Sequence, residues 1–198
     1  GTVKNSNEGS INLGSINLVP SSFDDILIGE IDTNLAVKWA KLITAFGASD
    51  SKHTTQTKNM DYINGSLYLS GMMKGGFAPY GEEEARIASK STPLNGFVIK
   101  CDASNGEWLG GVSADEQGIG GYFGVAKGKE NNLYAYGYSW ATPNKGICLT
   151  TIDESSWEKT EKIALITETG MGTAWSCLAD GTNFYSFSRG NKAVNFYN

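Results

Sequence analysis

Gly96-Phe97-Val98-Ile99-Lys100-Cys101-Asp102 is a run of mainly apolar residues that ends on an aspartate, and a tryptophan follows six residues later. The same order occurs at residues 28–32 and at residues 149–153. The three aspartates are Asp32, Asp102 and Asp153, and the tryptophans that follow them are Trp39, Trp108 and Trp157. Short alternating runs of this kind predict β-strands. Their repetition in a constant order indicates an internal structural repeat.

A second strand-like run repeats in step with the first and carries a tyrosine, at Tyr68, Tyr134 and Tyr185. Each run follows a turn pair, which is Asn64-Gly65, Asn131-Asn132 or Asp180-Gly181. Asn-Gly and Asp-Gly supply the positive φ angles of tight hairpins. They therefore predict entering strands at residues 57–63, 122–127 and 173–178. The tyrosines are 66 and 51 residues apart and the aspartates 70 and 51, so two independent landmarks give similar periods.

Each unit is predicted to be an antiparallel meander of four strands, a to d, with the tryptophan associated with strand d. One such unit cannot bury both of its faces, so the units must stack. Four strands in about 50 residues are typical of a β-propeller blade. We expect an all-β protein with about four blades in one domain, residues 11–198. The expected units are residues 11–45, 57–112, 122–166 and 173–198.

The ends of the repeat and its one long gap lead to further expectations. Residues 1–10 are polar and predict a linker or tail, and residues 72–94 predict a surface loop inserted in the second unit. Ile11-Asn12-Leu13-Gly14 is expected to be strand b of the first unit. Since strand a of the first unit and strand d of the last are missing, we expect a piece of a larger propeller. The alternative is a small four-bladed ring in which residues 2–5 supply the missing strand d.

These motifs resemble the β-propeller repeats of bacterial exported proteins. The pattern of that family is Asp-x-hydrophobic-hydrophobic-x-Lys-x-Asp, a tryptophan, and then a Gly-Asn-x-Tyr-hydrophobic-x-Gly strand. Residues 96–102, with Lys100, are similar to the first part, and residues 65–71 to the second. The third unit departs from the pattern at Thr151 and Ser188. The resemblance implies a propeller fold and a place in the cell envelope or outside the cell, in the periplasm or as a surface lipoprotein, but it implies no activity.

Composition excludes several classes of partner. The chain has 16 basic and 21 acidic residues and a net charge of -5, so it has no basic surface for nucleic acid or anionic lipid. No apolar run approaches the roughly 20 residues of a membrane span, so membrane insertion of this chain is not expected. Cys101, Cys148 and Cys177 form no C-x-x-C pair and leave one cysteine over, which argues against a disulfide framework.

The sequence predicts no cofactor, no metal site and no catalytic residues. His53 is the only histidine, so a catalytic triad or a multi-histidine metal site has no further residue to use. Residues 118–124 are glycine-rich but have Phe123 where a nucleotide-binding loop needs its third glycine. The Asp102 turn lacks the later bidentate acid of a calcium loop. Glu82-Glu83-Glu84 is most simply a solvated run of like charges.

Aromatic residues at the expected blade ends are the candidate ligand contacts, because they offer large, rigid surfaces with a polar tip. These candidates are Trp140, Tyr138, Tyr80, Phe77 and Trp175. The sequence therefore favours a non-catalytic binding or scaffold module that takes a glycan or a peptide at one propeller face. Two alternatives stay open, a carbohydrate-active hydrolase or lyase that uses Asp and Glu from several blades, and a purely structural segment of a surface protein. The oligomeric state stays open too.

Overall fold

The computed structural model describes residues 2–3, 9–21, 24–47, 54–89, 94–114, 119–139, 146–164, 171–179 and 184–190. These residues form strands and turns, without a helix, which confirms the all-β prediction. The first nine strands are β1 (Thr2–Val3), β2 (Ile11–Leu13), β3 (Ile16–Leu18), β4 (Asp25–Ile31), β5 (Val37–Phe46), β6 (Thr54–Ile63), β7 (Ser66–Lys74), β8 (Gly76–Pro79) and β9 (Ile87–Ala88). The others are β10 (Asn95–Asp102), β11 (Trp108–Ser113), β12 (Ile119–Lys127), β13 (Asn132–Ser139), β14 (Gly146–Asp153), β15 (Lys159–Ala164), β16 (Met171–Ala179) and β17 (Phe184–Gly190).

The strands form four main antiparallel sheets and one separate hairpin. The first sheet has the order β1-β4-β5-β8-β9, the second β6-β7-β10-β11 and the third β12-β13-β14-β15. The fourth sheet is the pair β16-β17, and β2-β3 is the separate hairpin. The second and third sheets are four-stranded meanders in chain order, which is the a-to-d unit that the sequence predicted.

Three turns have the same construction, one in each of the first three sheets. They join β4 to β5, β10 to β11 and β14 to β15. In each, the aspartate Oδ1 atom accepts the backbone N–H two residues further on. In each, a β-bulge precedes the aspartate and a residue with positive φ follows it within the turn. The aspartates are Asp32, Asp102 and Asp153, and the residues with positive φ are Leu35, Gly106 and Trp157. This is the Asx geometry that short polar side chains provide.

The repeat tyrosines can be compared through the strand register. Tyr68 pairs with Lys100, which lies two residues before the turn aspartate, and Tyr134 pairs with Thr151, which has the same offset. Tyr68 and Tyr134 therefore occupy matching positions in the second and third sheets. Tyr185 of β17 pairs with Leu178 of β16, but the residues that follow β17 lie outside the described part of the chain.

Neighbouring sheets pack face to face in chain order, as alternate side chains of β10 show. Phe97 and Ile99 belong to a core shared with the first sheet. Val98, on the opposite face, belongs to a core shared with the third sheet. Within the fourth sheet, β16 lies against β12, β13 and β14. The second sheet is thus covered on both faces, and the stack runs from the first sheet to the fourth.

The prediction of a surface loop at residues 72–94 is wrong. β7 continues to Lys74, and β8 and β9 then join the far edge of the first sheet by pairing with β5 and with each other. Gly75 has a φ of 108°, which lets the chain leave the second sheet and cross to the first. Phe77 and Ile87 are buried there, so the segment contributes to the core.

The N-terminal region also differs from expectation. Residues 11–14 do not form strand b of the first unit, because β2 pairs with β3 instead. This hairpin packs its apolar side chains against the outer face of the first sheet, where Leu18 meets Leu42. Thr2–Val3 was expected in a linker, or in strand d of the last unit in a closed ring. It pairs instead with Asp25 and Ile26 of β4.

Candidate binding site

A cleft of about 430 Å³ lies between the first and second sheets, at the end where the Asp102 turn is found. The first sheet supplies Glu30 and Trp39 to its walls. The second sheet supplies Met60, Tyr62 and Leu67. The lining is therefore mainly apolar, with one carboxylate. We call this site the Trp39 cleft.

Met60 and Tyr62 lie two residues apart on β6, so their side chains leave the same face of the second sheet. Asp61, between them, points the other way, since its Oδ2 atom accepts the backbone N–H of Val125 in the third sheet at 2.9 Å. Met60 is 54% exposed and Tyr62 is 69% exposed. The two side chains thus form a small exposed apolar surface beside the cleft.

The indole of Trp39 is held in place from two sides. Its Nε1 atom donates a hydrogen bond to Glu30 Oε2 at 3.1 Å. Gly106 packs against the ring so closely that a Cβ atom built there would lie 2.5 Å from Trp39 Cζ3. The Asp102 turn can approach this closely because Gly106 has no side chain and a φ of +73°. The cleft thus presents a preorganised aromatic wall.

Glu30 is the acidic group of the cleft and is ionised at neutral pH. A hydrogen bond from Lys38 at 2.5 Å, together with its charge and the bond from Trp39, holds the pKa of Glu30 below its ordinary value. Such a carboxylate accepts hydrogen bonds and attracts cations. It is unsuited to act as a general acid, which needs a raised pKa.

A second, smaller cleft of about 170 Å³ lies between the same two sheets. Its lining includes Lys41 and Tyr80 from the first sheet and Glu107 and Trp108 from the second. Tyr80 is 53% exposed. Ala103 and Ser104 line the larger cleft, and Gly106 and Glu107 line the smaller one. The Asp102 turn therefore lies between the two clefts.

The ligand contacts predicted from sequence are not brought together. Phe77 is fully buried and packs edge-to-face on Phe97, with ring centroids 5.1 Å apart, so it is a core residue. Tyr138 is partly buried on β13 of the third sheet. Trp140 and the side chain of Trp175 lie outside the described part of the chain. Of the five, Tyr80 lines one of the two clefts described here.

Sequence reasoning missed the residues that form the Trp39 cleft. Trp39 was assigned a structural role with Trp108 and Trp157, and all three do pack against the inter-sheet cores, but the role of Trp39 as a wall of the cleft was not predicted. Met60 and Tyr62 alternate along β6 as any half-buried strand would. Their exposure depends on what the first sheet leaves uncovered, which local sequence does not show.

A cluster of charged groups joins the second and third sheets. The Glu154 carboxylate accepts hydrogen bonds from Tyr68 Oη, Lys100 Nζ and Lys127 Nζ. Burial raises the pKa of Glu154, but the three hydrogen bonds outweigh it and lower the pKa to about 2. Burial, and then Glu154, raise the pKa of Tyr68. Lys100, the lysine of the family-like motif, therefore has a role in packing between sheets.

Within the described residues, no group of three His, Cys, Asp or Glu side chains could hold a metal ion. Cys101 and Cys148 are buried, and burial raises the pKa of the Cys101 thiol to about 12. None of the described segments includes a helix that could span a membrane. His53 lies outside them. Comparison with protein-family models and with curated protein sequences gives no match.

Proposed function

We propose that this chain is a non-catalytic binding module of an exported bacterial protein, built from propeller-type blades, with its ligand in the Trp39 cleft. The observation that carries the proposal is the pairing of an indole held by Glu30 with the exposed side chains of Met60 and Tyr62. A flat aromatic wall beside a hydrogen-bond acceptor suits a ligand with apolar faces and polar edges, such as a glycan or a peptide.

The blade part of the proposal is supported by the four-stranded meanders, the face-to-face packing and the repeated Asx turn. The β2-β3 hairpin covers the outer face of the first sheet. In a closed ring the preceding blade would pack on that face. We therefore propose an open arc of blades rather than a ring that closes through this face.

The enzyme alternative requires two carboxyl groups about 5 to 10 Å apart at one site. Glu30 is the only carboxylate in the described lining of the Trp39 cleft, and its pKa is lowered. The geometry of the cleft therefore favours binding over glycoside hydrolysis.

The proposal is tested by applying the protein to a glycan array and to a peptide array. Tyr62→Ser removes an exposed aromatic ring of the cleft, and Tyr185→Ser makes the same change at an exposed tyrosine of the fourth sheet. We expect specific binding that Tyr62→Ser abolishes and Tyr185→Ser retains. Silence on both arrays, or binding that survives Tyr62→Ser, would contradict the proposal and favour a purely structural segment.

A further inference from the structure

We infer that Asn64 is a site of spontaneous covalent modification, at which the side-chain amide is converted to a carboxylate by deamidation. The sequence has three Asn-Gly pairs, and their asparagines are Asn64, Asn95 and Asn105. All three start from the same local chemistry, because a glycine has no side chain to shield its backbone nitrogen. Their structural surroundings differ, and the difference selects Asn64. The inference does not depend on the proposed binding function.

The reaction joins two neighbouring residues of one turn. The backbone nitrogen of Gly65 loses its proton and attacks the side-chain Cγ atom of Asn64. The bond from Cγ to Nδ2 breaks, and the amide leaves with a proton as ammonia, so the product is a cyclic succinimide. Solvent water then opens this ring at one of its two carbonyl groups. One opening gives aspartate, and the other gives isoaspartate, in which the main chain runs through the former side chain.

Asn64 lies at the tip of the hairpin that joins β6 to β7, and it is exposed. Its φ is 48°, and that of Gly65 is 81°. These are the values of a two-residue hairpin turn, in which Ile63 and Ser66 pair and the N–H groups of the two turn residues take no part in the strand pairing. A Cβ atom built at Gly65 meets nothing within 4 Å. The Gly65 nitrogen therefore reaches Asn64 Cγ by a local opening of the hairpin tip, without loss of packing.

The exposure of this turn is a property of the repeat. The N–H of Ala103 donates to the backbone oxygen of Gly65, and the N–H of Glu154 donates to that of Asn131. Glu130-Asn131 is therefore the equivalent turn of the third sheet, and Glu130 also has a positive φ, of 54°. Both of its residues are exposed, although the second sheet packs against the third. A neighbouring sheet thus leaves a turn of this kind open to solvent.

Asn105 is exposed too, but its turn is held in place. The Gly106 N–H, whose nitrogen would attack, donates to Asp102 O at 2.8 Å. The Asn105 Oδ1 atom accepts the N–H of Glu107, also at 2.8 Å. Gly106 packs closely against Trp39. Attack at Asn105 therefore requires the loss of both hydrogen bonds and of this packing.

Asn95 is the most protected of the three. It is fully buried on β10, where it pairs with Met73 of β7. Its Oδ1 atom accepts a hydrogen bond from Ser89 Oγ at 2.6 Å, and its Nδ2 atom donates to the backbone oxygen of Ala114. We expect Asn95 to react only in molecules whose second sheet has opened.

Modification of Asn64 changes the edge of the Trp39 cleft, because Gly65 is part of its lining. Both products add a carboxylate beside Gly65. Isoaspartate also adds one carbon to the main chain of a turn that has only two residues. The hairpin can then no longer keep its original geometry.

The test follows the folded protein during incubation at mildly alkaline pH. The three asparagines lie on different tryptic peptides, residues 59–74, 91–100 and 101–127, so mass spectrometry measures each conversion separately. A sample taken at time zero corrects for conversion during digestion. We expect Asn64 to convert at least about tenfold faster than Asn105, because attack at Asn105 breaks two more hydrogen bonds. Asn95 should be the slowest. In urea, where the fold is lost, the three should convert at similar rates.

Gly65→Ala is the matched variant, because its methyl group shields the nitrogen that attacks Asn64. It should slow conversion of Asn64 several-fold, both in the folded protein and in urea, and leave Asn105 unchanged. Conversion of Asn105 or Asn95 as fast as Asn64 in the folded protein would overturn the inference. So would an Asn64 that stays intact while the protein in urea converts, since the hairpin tip would then protect it.

Discussion

Glu154 shows how one residue of a turn can connect two sheets. It directly follows Asp153, whose Asx turn holds the backbone in place. Its carboxylate meets two lysines and a tyrosine, and only 15% of its side chain is exposed. A partly buried carboxylate is favourable only while it keeps such partners, because its desolvation opposes folding. The charge of Glu154 should therefore matter to stability.

Glu154→Gln is expected to lower the free energy of unfolding by about 2 kcal/mol at pH 7, since it weakens charge-assisted hydrogen bonds from Lys100 and Lys127. The folded pKa of Glu154 is about 2 and its ordinary value is 4.5. Its stabilising contribution is thus present above about pH 4.5 and is lost as the pH falls toward 2. The difference between wild type and variant should shrink over that range. Urea unfolding at several pH values measures it.

Glu158→Gln is the control for this prediction, because Glu158 is an exposed acidic residue of the same turn. It should change the free energy of unfolding by less than about 0.5 kcal/mol. A loss in Glu154→Gln that stays constant from pH 7 to pH 3 would show that ionisation of Glu154 does not contribute.

Residue-level predictions from sequence succeeded where the interaction is local. An aspartate that bonds the N–H two residues ahead depends on its own turn, so Asp102 and Asp153 could be interpreted without the fold. The exposure of Tyr62 and the burial of Phe77 depend on which sheet lies opposite. No local pattern in the sequence carries that information.

At the scale of elements, the β2-β3 hairpin acts as a cap on the stack. Asn12 and Asn17 pair across it and are exposed, while its apolar residues face the first sheet. This alternation gives a polar outer surface, as terminal units of stacked repeats require. The same alternation made residues 11–14 resemble strand b. Period two identifies a strand but does not identify its partner.

Leu18→Ala is expected to lower the free energy of unfolding by about 2 to 3 kcal/mol, because Leu18 is buried against Ala40 and Leu42. Asn17→Ala, at an exposed position of the same strand, should have little effect. Chemical denaturation of the two variants tests the packing of the hairpin. Equal, small effects would mean that the hairpin does not cover the first sheet in solution.

The Asp102 turn of the second sheet contacts the first sheet, and Gly106 lies against Trp39 at this contact. Gly106→Ala should lower the free energy of unfolding by about 2 to 4 kcal/mol, since it combines positive-φ strain with a clash against Trp39. Gly65→Ala is the matched control, with a φ of +81° and open space around its Cβ position. It should lose only about 1 kcal/mol. Thermal unfolding compares the two, and equal losses would exclude the clash.

At the scale of the whole molecule, the structure is a stack in which each sheet contacts its neighbours. The repeat in the sequence predicted this order, because its period is visible in the spacing of the aspartates and tyrosines. It did not predict that the chain after Gly75 would join the preceding sheet. That crossing depends on core space for Phe77 beside Phe97, which exists only once two sheets have packed.

Because each core joins two neighbouring sheets, a substitution in one core should destabilise mainly the two sheets that share it. Val98 and Ile99 are adjacent on β10, are fully buried and face opposite neighbours. Val98→Ala should therefore speed amide hydrogen exchange mainly in β12, β13 and β14 of the third sheet. Ile99→Val should speed it mainly in β4 and β5 of the first sheet. Ile99→Val removes one buried methylene and should lower the free energy of unfolding by about 0.5 to 1.5 kcal/mol, and Val98→Ala, which removes two methyl groups, should lower it by more. If both variants speed exchange in the same strands, the sheets unfold as one unit and the nearest-neighbour description fails. If the effects separate, the first and third sheets are independently coupled to the second, and a ligand bound at the Trp39 cleft, between the first and second sheets, would leave exchange in the third sheet largely unchanged.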